Sequence, residues 1–95
     1  MALTFEWDTR KAEANLSKHE VSFDEAATIF ADPLARLEID DRHSVQEERF
    51  ILLGRSTADR LLAVMFTDRG AERIRIISAR QATRFERNQY EEASK

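Results

Sequence analysis

The 95-residue sequence predicts an α+β fold: a small antiparallel sheet of four to five strands with two N-terminal helices and one C-terminal helix. Three observations carry this reading. Several short stretches alternate apolar and polar residues, the period of two that marks half-buried strands. Between Asp8 and Asp32, two segments repeat at the helical period instead. Near its end the chain changes period once more, from an alternating run over residues 73–78 to a helical one after Thr83.

Taken in order, Leu3, Phe5 and Trp7 alternate with Thr4, Glu6 and Asp8, a short strand with one apolar face. Asp8 suits the N-cap of a helix reaching about His19. Its apolar stripe is thin, Ala12 and Leu16, while Lys11, Asn15, Lys18 and His19 follow at helical spacing on the polar side. Ser22 and Glu25 form a capping box for a second helix, in which Phe23, Ala26, Ala27 and Phe30 fall on one face. Asp32-Pro33, with the chain's one proline, ends it. Strands follow over 34–40, 49–54 and 60–67, the first joined to the second by a polar connection containing His43. Asp68-Arg69-Gly70-Ala71 makes a hairpin turn into the last strand. Its alternation places Arg73, Arg75 and Ile77 on one face, with Ile74, Ile76 and Ser78 on the other. A bend over residues 78–82 leads to Thr83 and Glu86, a second capping box opening the final helix. Short loops imply antiparallel neighbours, and the helices are expected to cover one face of the sheet.

The chain reads as a single domain over residues 1–95. It has no Cys and only two His, without His-x-x-x-His or Glu-x-x-His spacing, so disulfides and thiolate metal sites are excluded and no metal is expected. The N-terminus lacks a basic start and a long apolar run, which argues for a cytoplasmic protein without a membrane span. The net charge of −3 argues against broad nucleic-acid binding by the whole surface. Against that background, positions 69–87 hold six arginines against Glu72 and Glu86. An acidic chain that gathers arginines on one strand and the following helix start has the makings of a local anion site. The same arginines are also candidates for ordinary surface pairs with the chain's many acids.

The order of motifs resembles the BrnT toxins. Phe5-Glu6-Trp7-Asp8, Lys11, Asn15, Lys18-His19, Val21-Ser22-Phe23, Ala26, Phe30 and Asp32-Pro33 are similar to the opening of that family. Glu48-Arg49 with Gly54 continues it, and Arg75-Ile76-Ile77-Ser78-Ala79-Arg80 with Ala82-Thr83, Glu86-Arg87 and Tyr90 resembles its closing motif. One position departs: Glu20 follows the Lys-His pair, where these proteins often carry Gly.

The resemblance implies the toxin of a type II toxin–antitoxin module, with a RelE-like ribonuclease fold. Such a toxin cleaves RNA without metal or cofactor and inhibits translation. Its implied partner is a BrnA-like ribbon-helix-helix antitoxin, through which alone it reaches operator DNA. The alternative is a catalytically weak or inactive binding module that acts with that partner in autorepression. Metal-free cleavage needs a base for the 2′-hydroxyl, cations around the phosphorane and an acid for the leaving oxygen. Arg75 and Arg80 are the expected phosphate ligands; Arg80 is expected in the bend before a helix N-terminus, whose free N–H groups also favour anions. His19 is a candidate base by its ordinary pKa, or a helix C-terminal residue satisfied by carbonyls. Lys11 joins the expected catalytic set, and Lys18, Asn15, Arg73, Arg84 and Tyr90 the RNA-binding one. For Arg75 a carboxylate partner across the sheet is the competing role, and for the first helix a solvated polar face.

Overall fold

A computed structural model of the chain describes residues 2–42 and 47–93. The elements are β1 (Thr4–Glu6), α1 (Thr9–His19), α2 (Phe23–Thr28), a 3-10 turn (Ile29–Ala31), β2 (Arg36–Ile39), β3 (Phe50–Arg55), β4 (Leu61–Asp68), β5 (Arg73–Gln81) and α3 (Arg84–Ala93). They form an α+β fold around one five-stranded sheet, ordered β1-β5-β4-β3-β2. His43 lies outside the described residues, as does part of the polar connection around it.

Local signals account for most boundaries. The Asp8 carboxylate accepts from the N–H groups of Arg10 and Lys11 at the start of α1, and Ser22 Oγ accepts from Glu25 N to start α2. Thr83 and Glu86 satisfy each other's main-chain N–H, at 2.9 and 3.1 Å, as the capping box requires. α1 closes on Glu20, whose φ of 58° lies in the left-handed region that glycine adopts at no steric cost. Asp32 ties three elements: it accepts from Leu34 N, from Arg55 N at the end of β3, and from the Tyr90 hydroxyl of α3.

Two expectations need correction. β2, β3, β4 and β5 pair antiparallel, but β1 joins the sheet parallel to β5, with Glu6 opposite Arg75. The sheet is therefore mixed, with α1 and α2 linking β1 at one edge to β2 at the other. Helices also occupy both faces. Val21, Phe23, Ala26 and Ile29 pack with Leu52, Leu62, Val64, Phe66, Ile74, Ile76 and Ala79 on one face. On the other, Tyr90 of α3 packs with Leu53, Leu61 and Ala63. α3 covers only part of that second face, and the β5 side of it carries the arginines.

Candidate functional site

Cross-strand partners share a face of a sheet, so the register locates every side chain of β5. Arg75 lies opposite Thr67, Ser78 opposite Met65 and Arg80 opposite Ala63. Thr67, Met65 and Ala63 alternate along β4 and therefore point the same way. Arg75 and Arg80 are five positions apart, an odd number that an unbroken strand would send to opposite faces. A register shift between Met65 and Phe66 leaves Ile77 as the extra residue and restores the phase. The bulge therefore inverts the expected alternation after Ile76. Ser78 and Arg80 join Arg73 and Arg75, while Ala79 joins the core with Ile74 and Ile76. Nor does Arg80 lie in a bend, since β5 continues to Gln81.

Each of the three arginines faces a carboxylate. Glu6 of β1 bridges two of them, with Arg75 Nη1 at 2.9 Å and Arg73 Nε at 3.2 Å. Arg80 donates from both terminal nitrogens to Glu86, at 2.7 and 3.0 Å. The Arg80 fork holds the Glu86 carboxyl below the usual carboxylate range despite partial burial, and Glu86 in turn raises Arg80. The cross-sheet pair weighed as a competing role for Arg75 is thus present. Glu6 is the residue sequence reasoning left out of the site. Its signal was available: alternation with Phe5 and Trp7 puts Glu6 on the face opposite the core, and β5 is the one strand left to receive β1.

α1 lies along the stretch of β5 that β1, only three residues long, does not reach. Asn15 occupies the missing strand's place. Its amide donates to Ala79 O at 2.8 Å and accepts from Ala79 N at 3.0 Å, as a neighbouring strand would. A further bond goes to Val21 O at 2.9 Å. Asn15 is buried with its side-chain amide bonded to main chain, so it holds the helix to the sheet while also lining the groove beside it. Over it opens a shallow groove of about 220 Å³, lined by Lys11, Lys18, His19, Ile77 and Ser78. The helical part of the expected site therefore meets β5 at Ile77 and Ser78, between Arg80 and the Arg73–Arg75 stretch that pairs with β1.

Tyr90 lies on the same sheet face as Arg80, packed with Ala63, the cross-strand neighbour of Arg80. It is buried under α3, donates to Asp32 at 2.6 Å and stacks beneath Arg55, whose guanidinium carbon is 5.6 Å from the ring centre. Burial pushes the Tyr90 phenol up, and its bond to Asp32 adds to this. Burial works against ionisation of Asp32 too, but the Tyr90 and main-chain donors outweigh it and hold the carboxyl low. The adjoining cleft of about 420 Å³ thus has its main polar groups engaged with one another. Arg84 is exposed at the start of α3. Among the described residues, no three His, Cys, Asp or Glu side chains gather to hold a metal ion, and no helix is long and apolar enough to cross a membrane.

A family model described as "Ribonuclease toxin, BrnT, of type II toxin-antitoxin system" matches residues 7–86. The chain belongs to the BrnT toxin family. Membership makes it the toxin half of a type II module, with a cognate antitoxin as its partner. The crystal structure of the Brucella abortus ribonuclease toxin BrnT has a similar fold, with a TM-score of 0.68 at 22% identity. The match covers 87% of this chain and all of that one. No curated protein matches the chain. The bulged strand, the capping box and the helix lying along β5 all fall within the span that the BrnT model matches.

Proposed function

We propose that this BrnT-family chain is a metal-independent endoribonuclease that inhibits translation, and that its RNA track follows β5. The observation that carries the reading is the Ile77 bulge, which turns Arg73, Arg75 and Arg80 to one face beside the α1 groove. Arg75 and Arg80 stand roughly 15 Å apart along the strand, from the rise per residue, so their long side chains can converge on a phosphodiester lying between them. Guanidinium forks that grip carboxylates bidentately grip phosphate in the same way. Glu6 and Glu86 then act as resident anions that the RNA backbone displaces.

In the proposed reaction the 2′-oxygen attacks the adjacent phosphorus and the P–O5′ bond breaks. The products are a 2′,3′-cyclic phosphate and a 5′-hydroxyl. A proton leaves the 2′-hydroxyl for a base and another reaches O5′ from an acid; His19 and Lys11 line the groove from which these transfers are proposed. Arg75 and Arg80 offset the charge that builds on the phosphorane. Lys18, Arg73 and Arg84 hold flanking phosphates. The sequence supports metal independence by its lack of Cys and its two widely spaced His. The partner is a BrnA-like ribbon-helix-helix antitoxin, and operator DNA is reached through it. Inducing the chain without its partner tests the reading: growth should arrest and messenger RNA should be lost.

One observation favours a second reading. All three arginines are already paired with carboxylates, which suits a non-catalytic module serving only to hold its antitoxin. Normal growth and intact RNA under verified expression would establish that module.

A further inference from the structure

The sheet ends on β2, and nothing covers its outer edge among the described residues. Leu37 and Ile39 are 61% and 52% exposed, on the helix-side face where their partners Leu52 and Phe50 enter the core. Their main chains are exposed too. Asp40 N bonds Arg49 O, and in an antiparallel ladder bonded positions alternate. Glu38 and Arg36 therefore bond inward, while the N–H and C=O groups of Leu37 and Ile39 point outward. Proteins commonly blunt such an edge with Pro, a bulge or charge; β2 has neither Pro nor bulge, and its charges, Arg36 and Glu38, lie on the face away from Leu37 and Ile39.

The charge around this edge selects what can lie on it. From Arg36 to Arg49 the described residues hold Glu38, Asp40, Asp41, Glu47 and Glu48 against Arg36, Arg42 and Arg49, a net negative edge. A second copy of this chain would bring the same net negative run, whereas a cationic segment complements it. We infer that β2 is the docking edge for an extended segment of the cognate antitoxin, one that alternates apolar side chains with Lys or Arg. Its apolar residues meet Leu37 and Ile39 on one face, and its cations meet Glu38 on the other. The outward main-chain groups supply the backbone ladder. This rests on the family's implied antitoxin and deepens it by naming a surface, some three strands from the β5 arginines.

The antitoxin co-expressed with the full chain is the probe. Amide exchange should slow at Leu37 and Ile39 in the complex. Ile39→Pro removes one outward donor and leaves the inward ladder bonds in place, and Leu37→Lys with Ile39→Lys replaces the apolar strip with like charge to the partner. Both variants should keep the wild-type melting temperature within a few degrees and bind roughly tenfold or more weakly. Wild-type affinity in both folded variants, or protection confined to other elements, overturns the proposal while leaving the toxin–antitoxin reading intact. Concentration-dependent dimers of the free chain, abolished by the same changes, assign the edge to a second copy. A wild-type chain that does not bind the antitoxin at all overturns both.

Discussion

Arg80 donates two bonds to Glu86, and Glu86 also closes the α3 capping box through Thr83 N. Removing the arginine therefore leaves Glu86 its cap, and the helix start should survive. Arg75 is a simpler case, paired with Glu6 on a partly open surface. Pairs of this exposure contribute about 1 kcal/mol or less. Arg75→Ala and Arg80→Ala should accordingly leave the melting temperature and circular-dichroism spectrum near wild type. Cleavage should fall by about 100-fold or more, the scale of losing one donor to a developing oxyanion. Glu6→Gln has the opposite sign for binding. With its carboxylate gone, Arg73 and Arg75 are released to phosphate, and a non-cleavable 2′-deoxy RNA strand should bind several-fold more tightly in filter binding. Equal affinity would mean that Glu6 does not compete for the site.

At the scale of elements, the connection between α1 and β5 depends on Asn15. Asn15→Ala leaves the Ala79 N–H and C=O and the Val21 C=O without partners in a buried place. The expected loss is about 3 kcal/mol or more by urea denaturation, since each of the three stranded buried groups costs on the order of 1–3 kcal/mol. Glu20→Gly should stabilise by about 1 kcal/mol, because it removes left-handed strain and keeps the main-chain oxygen that accepts from Arg60 at 2.9 Å. Gly54→Ala should destabilise: a Cβ there would stand 3.2 Å from the Ile29 main-chain oxygen, in the packed 3-10 turn. The Glu25 carboxylate, expected to close a box on Ser22, instead accepts from Ser56 and Arg60. Element order, the Ser22 N-cap and the α3 capping box were legible in the sequence because they depend on neighbours in the chain. The bulge was not: the alternation of residues 73–78 is clean, and the extra residue is visible only against the fixed period of β4. Asn15 read as surface for a related reason. Its position on α1 is polar, and only the early end of β1 leaves main chain at Ala79 for it to satisfy. Alternation placed Glu6 on the face away from the core, but its arginine partners lie about seventy positions away in sequence, so the pairing itself was not legible. The arginine cluster itself needed no fold to be seen.

For the whole molecule, acid is the informative stress. Glu25 is held below its ordinary value of 4.5, first by Arg60 and against the effect of burial. Asp32 is held below 3.8 and Glu86 below 4.5. A carboxylate with a depressed folded-state pKa contributes stability that is full above its unfolded value and lost as pH falls through the folded one. The melting temperature should therefore hold from neutrality to about pH 5 and drop steeply below pH 4.5. Glu25→Gln should be less stable than wild type at pH 7 and show a shallower acid slope; an unchanged slope would remove the Arg60 network from the account. Within this acidic chain, β5 gathers Arg73, Arg75 and Arg80. The most direct measurement of the central claim is therefore cleavage of a defined RNA by the purified chain in excess EDTA, with the ends of the products identified. The account predicts 2′,3′-cyclic phosphate and 5′-hydroxyl ends, formed by wild type and abolished in the Arg75→Ala, Arg80→Ala double variant. Cleavage that stops in EDTA and returns with Mg²⁺, or that persists undiminished in the double variant, would contradict it.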